Sequence, residues 1–102
     1  MSSGSVVDFA TLTVSDSAVS LADASPAYNA GHTVAGFFAT VEDANVRWRA
    51  DGTAPTTSEG HVLYAGQTLE FVGRNYSNIV ENIQFIRDDA TDAKLKITYF
   101  GL

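Results

Sequence analysis

The chain is 102 residues long, 45% hydrophobic and 18% charged, which suits one domain with its own core and leaves no room for a second. Twelve acidic against six basic residues give a net charge of −6, which argues against a nucleic-acid binder, since that role needs a basic patch. Cysteine is absent, which excludes disulfides, a thiol nucleophile and thiolate metal sites. No apolar run approaches the roughly 20 residues of a membrane-spanning helix, so no membrane partner is expected.

The first residues, Met1-Ser2-Ser3-Gly4-Ser5, are small and polar, without the charged start and apolar stretch of a secretory signal. The expectation is synthesis in a cytoplasm, with residues 1–8 as a flexible arm and residues 9–102 as a single domain. Beyond the arm the apolar pattern has period two almost throughout, the strand signature. Residues 9–14 alternate, with Ala10, Leu12 and Val14 on one face and Thr11 and Thr13 on the other. A short strand is predicted over 18–21, then a loop over 22–31 marked by Pro26, Asn29 and Gly31. Residues 33–42 read as a long strand. Gly36 inside it suggests a bulge or a close backbone approach. In residues 44–50, Val46, Trp48 and Ala50 face one way, and Asn45, Arg47 and Arg49 the other.

The run from Asp51 to Ser58 is a turn-rich connection, since Asp51-Gly52 favours a turn and Pro55 cannot donate to a central ladder. Strands follow over 61–64 and 67–72, then a polar stretch over 73–82 with room for one helical turn. A strand over 83–87, a turn over 88–92 and a last strand over 93–100 complete the chain. In that last strand Leu95, Ile97 and Tyr99 oppose Lys94, Lys96 and Thr98. About eight short antiparallel strands predict an all-β domain, a sandwich or a small barrel.

Chemistry is sparse. His32 and His61 lack metal-site spacing, and a triad drawn from His61, Asp51 and Ser58 has no nucleophile-elbow motif behind it, so no catalytic residue, metal site or cofactor is assigned. Asp88, Asp89 and Asp92 crowd one turn, where aspartate is a favoured turn former and an oxygen-rich loop also suits calcium. Asn75-Tyr76-Ser77 matches a glycosylation sequon, which matters only in a secretory pathway. Trp48 reads as a core residue, with a sugar-stacking platform as the competing role. Arg47 and Arg49 share the polar face of one strand, either as locally paired charges or as a contact for an acidic partner. Alternation turns one ring of Phe37-Phe38 away from the core. With Tyr28 and Phe100, Phe38 is therefore a candidate interface residue.

One further signal is an ordered set of segments. Val46-Arg47-Trp48-Arg49-Ala50-Asp51-Gly52-Thr53-Ala54-Pro55-Thr56 is followed by Gly60-His61 and then Ala65-Gly66-Gln67-Thr68-Leu69-Glu70. Ile83-Gln84-Phe85-Ile86-Arg87 and Ala90-Thr91-Asp92-Ala93-Lys94-Leu95 complete it. In this order, over about half the chain, the sequence resembles small tailed-phage and prophage virion structural proteins. Similar turns also occur in chitobiase-like sandwich modules. The resemblance implies an antiparallel β-sandwich of jelly-roll type without catalytic residues. It implies a capsid decoration or cementing protein, or a head-tail accessory protein. The partners would be the major capsid protein or other virion proteins, the place the outer capsid surface, and the building block a homo-oligomer, dimer or trimer. An acidic chain suits a surface away from the packaged genome. The alternative expectation is a carbohydrate-binding or host-recognition module of a tail or fibre, which would need an exposed aromatic platform.

Overall fold

The computed structural model describes residues 5–25 and 33–101. Tyr28 and residues 1–4 of the expected arm lie outside the described residues. Among the described residues eight strands form two antiparallel sheets. They are β1 (Val6–Val14), β2 (Val19–Ser20), β3 (Val34–Glu42), β4 (Val46–Arg49), β5 (His61–Leu63), β6 (Thr68–Phe71), β7 (Gln84–Arg87) and β8 (Ala93–Gly101). A 3-10 turn (Leu21–Asp23) follows β2, and a short helix, α1 (Ser77–Asn82), precedes β7.

The first sheet has the order β1-β8-β3-β6 and the second β2-β7-β4-β5. Early strands therefore pair with late ones in nested fashion: β1 with β8, β2 with β7, β3 with β6 and β4 with β5. This is the strand order of a jelly roll, a long hairpin wrapped on itself into two facing sheets. It decides for a sandwich over a closed barrel, which alternation along the chain left open.

Alternation explains the layering. In β8 the side chains of Ala93, Leu95, Ile97 and Tyr99 are buried, while Lys94 between them is exposed. Leu12 and Val14 of β1, Phe37, Ala39 and Val41 of β3, and Val46 and Phe85 of the second sheet join them in one core. Phe37 packs on Phe71 with ring centroids 5.6 Å apart. The Tyr99 hydroxyl donates to the Leu21 carbonyl at 2.7 Å, which gives a buried polar tip its partner and ties β8 to the 3-10 turn.

Two local features depart from a plain ladder. β1 begins at Val6, so Val6, Val7 and Asp8, expected in the flexible arm, belong to the strand instead. The register shifts between Val6 and Asp8, and the Gly101 N–H donates to the Ser5 carbonyl at 2.9 Å. A bulge breaks the period-two pattern there, which is why alternation starts only at Phe9. A second shift lies between Val34 and Gly36 in β3, at the glycine expected to mark a bulge or close approach. A Cβ on Gly36 would run into the backbone carbonyl of Phe71.

α1 is held at its start by the Asn75 carboxamide, whose oxygen accepts the Ser77 N–H at 3.0 Å. The Tyr76 N–H donates to the Ala35 carbonyl at 2.8 Å, and Val80 is buried in the core. The predicted helical turn is thus a lid on one end of the sandwich.

Candidate functional site

Two surfaces carry the candidate residues, and they lie on different sheets. The first is the outer face of the β1-β8-β3-β6 sheet. Phe37 is fully buried, so its neighbour Phe38 turns outward and is only partly covered. Thr98 stands between Phe9 of β1 and Phe38 of β3 in the same cross-strand row. Phe100, two residues further on the same face of β8, stands between Val6 and Gly36. Diagonal neighbours on one sheet face are within reach of aromatic side chains. Phe9, Phe38, Phe100 and Val6 therefore form one apolar patch. Phe9 is 60% exposed and Val6 59% exposed, far beyond what a covered face would show. Phe9 and Val6 were not among the residues expected at an interface. The bulge hides Val6 from period-two reading, and Phe9 looks like the ordinary start of a strand.

The second surface is an open groove of about 640 Å³ beside β4 and β5, lined by Trp48, Arg49, Ala50, Asp51, Glu59, Gly60 and His61. Trp48 lies half-buried on the core side of β4. Its indole meets Phe71 edge-on at 6.2 Å and packs against the core cluster. The exposed His61 ring lies 4.7 Å away, tilted by 40°. The core assignment of Trp48 is thus met on one side, while its other side lines the groove. Because only part of the side chain is out of water, Trp48→Ala should cost about 2 kcal/mol rather than the 3–5 of a fully enclosed aromatic. Denaturant unfolding followed by circular dichroism measures this, and a loss above about 4 kcal/mol would make Trp48 a core residue only.

Arg47 and Arg49 are both engaged within the chain. Arg47 donates from Nε to Asp88 Oδ1 at 2.7 Å and from a terminal nitrogen to the Gly60 carbonyl at 3.0 Å. It thereby ties β4 to the acidic turn and to the strand start beside it. Both ends of the pair are only about one quarter exposed. Arg49 grips Asp51 with two hydrogen bonds, Nε to Oδ1 at 3.1 Å and a terminal nitrogen to Oδ2 at 2.5 Å. Those bonds hold the Asp51 carboxyl below the usual carboxylate range and raise the Arg49 guanidinium. Asp51 stays ionised further into acid than an ordinary aspartate. The pair's small surface contribution is present above that ordinary range and fades as pH falls through the lowered value. Neither arginine joins Phe38 and Phe100, which occupy the other sheet.

The acidic turn is explained by its own chain. Asp88 is held by Arg47, Asp92 by Arg87 at 2.6 Å, and Asp89 accepts the Thr91 N–H at 3.0 Å. Among the described residues no group of three or more His, Asp or Glu side chains is arranged to hold a metal ion. Each residue of the drawn triad has a different partner, although Asp51 and His61 line the same groove. His61 lies over Trp48, Asp51 is bound by Arg49, and the Ser58 hydroxyl is paired with that of Thr56 at 3.4 Å. Among the described residues no buried side-chain nitrogen or oxygen lacks a partner. No family model matches the chain, and no curated protein and no solved structure matches it.

Proposed function

We propose that this chain is a non-enzymatic virion structural protein, a decoration or cementing protein that binds the assembled phage head through the outer face of its first sheet. The observation that carries this reading is the apolar patch in which Val6 and Phe9 are exposed and Phe38 and Phe100 half-covered, a patch of the kind that marks a protein interface. The jelly-roll order supports it by supplying a sheet face on which such a patch is held flat. A protein of this kind needs no active site. It stabilises a shell because it binds the assembled lattice and not the free subunit, by linkage. With a net charge of −6 it is repelled by packaged nucleic acid and suits the outer surface. The decisive experiment is co-sedimentation with virus-like shells that lack it. Saturable binding to shells and not to free capsid subunits is the expected result, abolished by Phe9→Ser. Absence of shell binding would sink the reading.

A second reading, a carbohydrate or host-recognition module, is favoured by the groove, where an aromatic ring stands beside an Arg49–Asp51 pair and Glu59. Retention on surface glycans that is lost in Trp48→Ala and kept in Phe9→Ser would move the assignment there.

A further inference from the structure

We propose that the outer edge of β1 receives β1 of a second copy of this chain, antiparallel, joining the two first sheets into one continuous sheet. The observation is how unequally the four sheet edges are guarded. A strand at an edge presents unpaired N–H and C=O groups, and folded proteins blunt such edges by shortness, charge, proline or bulges. Three edges here are short: β2 has two residues, β5 three and β6 four, with Glu70 exposed on the last. β1 has nine, Val-Val-Asp-Phe-Ala-Thr-Leu-Thr-Val, with no proline, no glycine and no lysine. Among the described residues no strand pairs with its outer edge.

The guards that β1 does have are confined to its first residues. The bulge lies between Val6 and Asp8, and Asp8 takes the Phe9 N–H at 2.9 Å and the Ser25 hydroxyl at 2.6 Å. Residues 10–14 carry neither charge nor bulge, and their β-branched residues suit an added strand. A hydrogen-bonding edge of this kind selects its occupant by class, since only an extended backbone satisfies it.

That the strand comes from a second copy follows from charge and symmetry. Each copy carries −6, so most approaches between copies are repulsive. β1 has one ionisable side chain, and the strand beside it sets Lys94 opposite Thr13 and Lys96 opposite Thr11. The line of contact therefore carries little of the negative charge that keeps two acidic copies apart. Antiparallel pairing of identical strands is isologous and closes with two copies. It matches Phe9, Thr11 and Thr13 with the partner's outer face, and Leu12 and Val14 with its core side. It sets the two Val6–Phe9 patches at opposite ends of the seam, on the same outer face of the dimer. This inference does not depend on what the dimer binds.

The test combines mass by light scattering with amide hydrogen exchange of the intact chain. The expected result is a species of twice the chain mass in which the outward-pointing β1 amides, those that β8 does not bond, also exchange slowly. The double variant Thr11→Glu/Thr13→Glu places a glutamate opposite Lys96 and Lys94 within each copy, favouring the fold, while setting carboxylates against carboxylates across the edge. It should keep its circular dichroism spectrum and dimerise at least about tenfold more weakly. A wild-type monomer at the concentrations used for exchange would overturn the proposal. So would a dimer in which the outward-pointing β1 amides exchange quickly, a measurement on the wild type that stands even if the variant does not fold. A monomer that still binds shells would overturn the dimer alone and leave the shell-binding reading in place.

Discussion

Phe37→Ala should remove about 3–5 kcal/mol of stability, whereas Phe38→Ala, one residue along, should cost about 1 kcal/mol or less. The two rings are chemically identical and differ only in the face of β3 they occupy. Phe37 is fully buried, packed on Phe71 and joined to a core that draws on both sheets. Truncating it leaves a cavity that a β-sandwich closes poorly, because sheet backbones are fixed by their ladders. A domain of this size is worth about 5–15 kcal/mol in total, so the variant sits near the limit of folding. Phe38 lies on the outer face, where its removal exposes little. Its loss should instead weaken binding to shells while leaving the unfolding midpoint in urea close to that of the wild type. Equal destabilisation by both variants would mean that the outer face is covered in the folded chain, and the apolar patch would lose its meaning.

Gly36→Ala should be nearly as damaging, at about 3 kcal/mol, despite adding one methyl group. The obstacle is the carbonyl oxygen of Phe71, a backbone atom that has no rotamer to move into. Relief requires β3 and β6 to part, and their pairing sets Phe37 opposite Phe71. The strain therefore reaches the aromatic core through the strand register. Hydrogen exchange should report the lesion as early opening of β6 while β1 and β8 stay protected. A variant with unaltered exchange in β6 would show that the sheet absorbs the methyl group and that the close approach has no cost.

Much of the strand content was legible because it depends on near neighbours. Leu95, Ile97 and Tyr99 alternate with Lys94, Lys96 and Thr98, and β8 buries the first set and leaves the second exposed or half-exposed. Phe38 was legible as the outward ring, since it keeps period two with Thr40 and Glu42. What faces Phe37 was not, since Phe71 and Tyr99 come from the neighbouring strands. The start of β1 was missed because the bulge at Val6 and Asp8 shifts the pattern by one residue. Strand order lies wholly beyond local pattern, as it needs β1 to be matched with a strand more than 80 residues away. The site was less legible still. Arg47 looked available because its partner Asp88 is 41 residues distant. Trp48 looked enclosed because period two reports which face a side chain takes. It does not report how far the neighbouring elements cover that face.

Nested pairing has a consequence in time. β8 is the strand on which both β1 and β3 are built, with Val14 opposite Ala93 at one end and Val6 opposite Phe100 at the other. The strand that organises the first sheet is thus the last of the eight to be synthesised. Until residue 101 has left the ribosome, β1 and β3 have no common neighbour, and their apolar faces wait in an unfinished state. Pairings of such long range also close slowly, against the entropy of a large loop. The nascent chain therefore depends on remaining soluble through a long interval, a task for which its surplus of carboxylates is well suited.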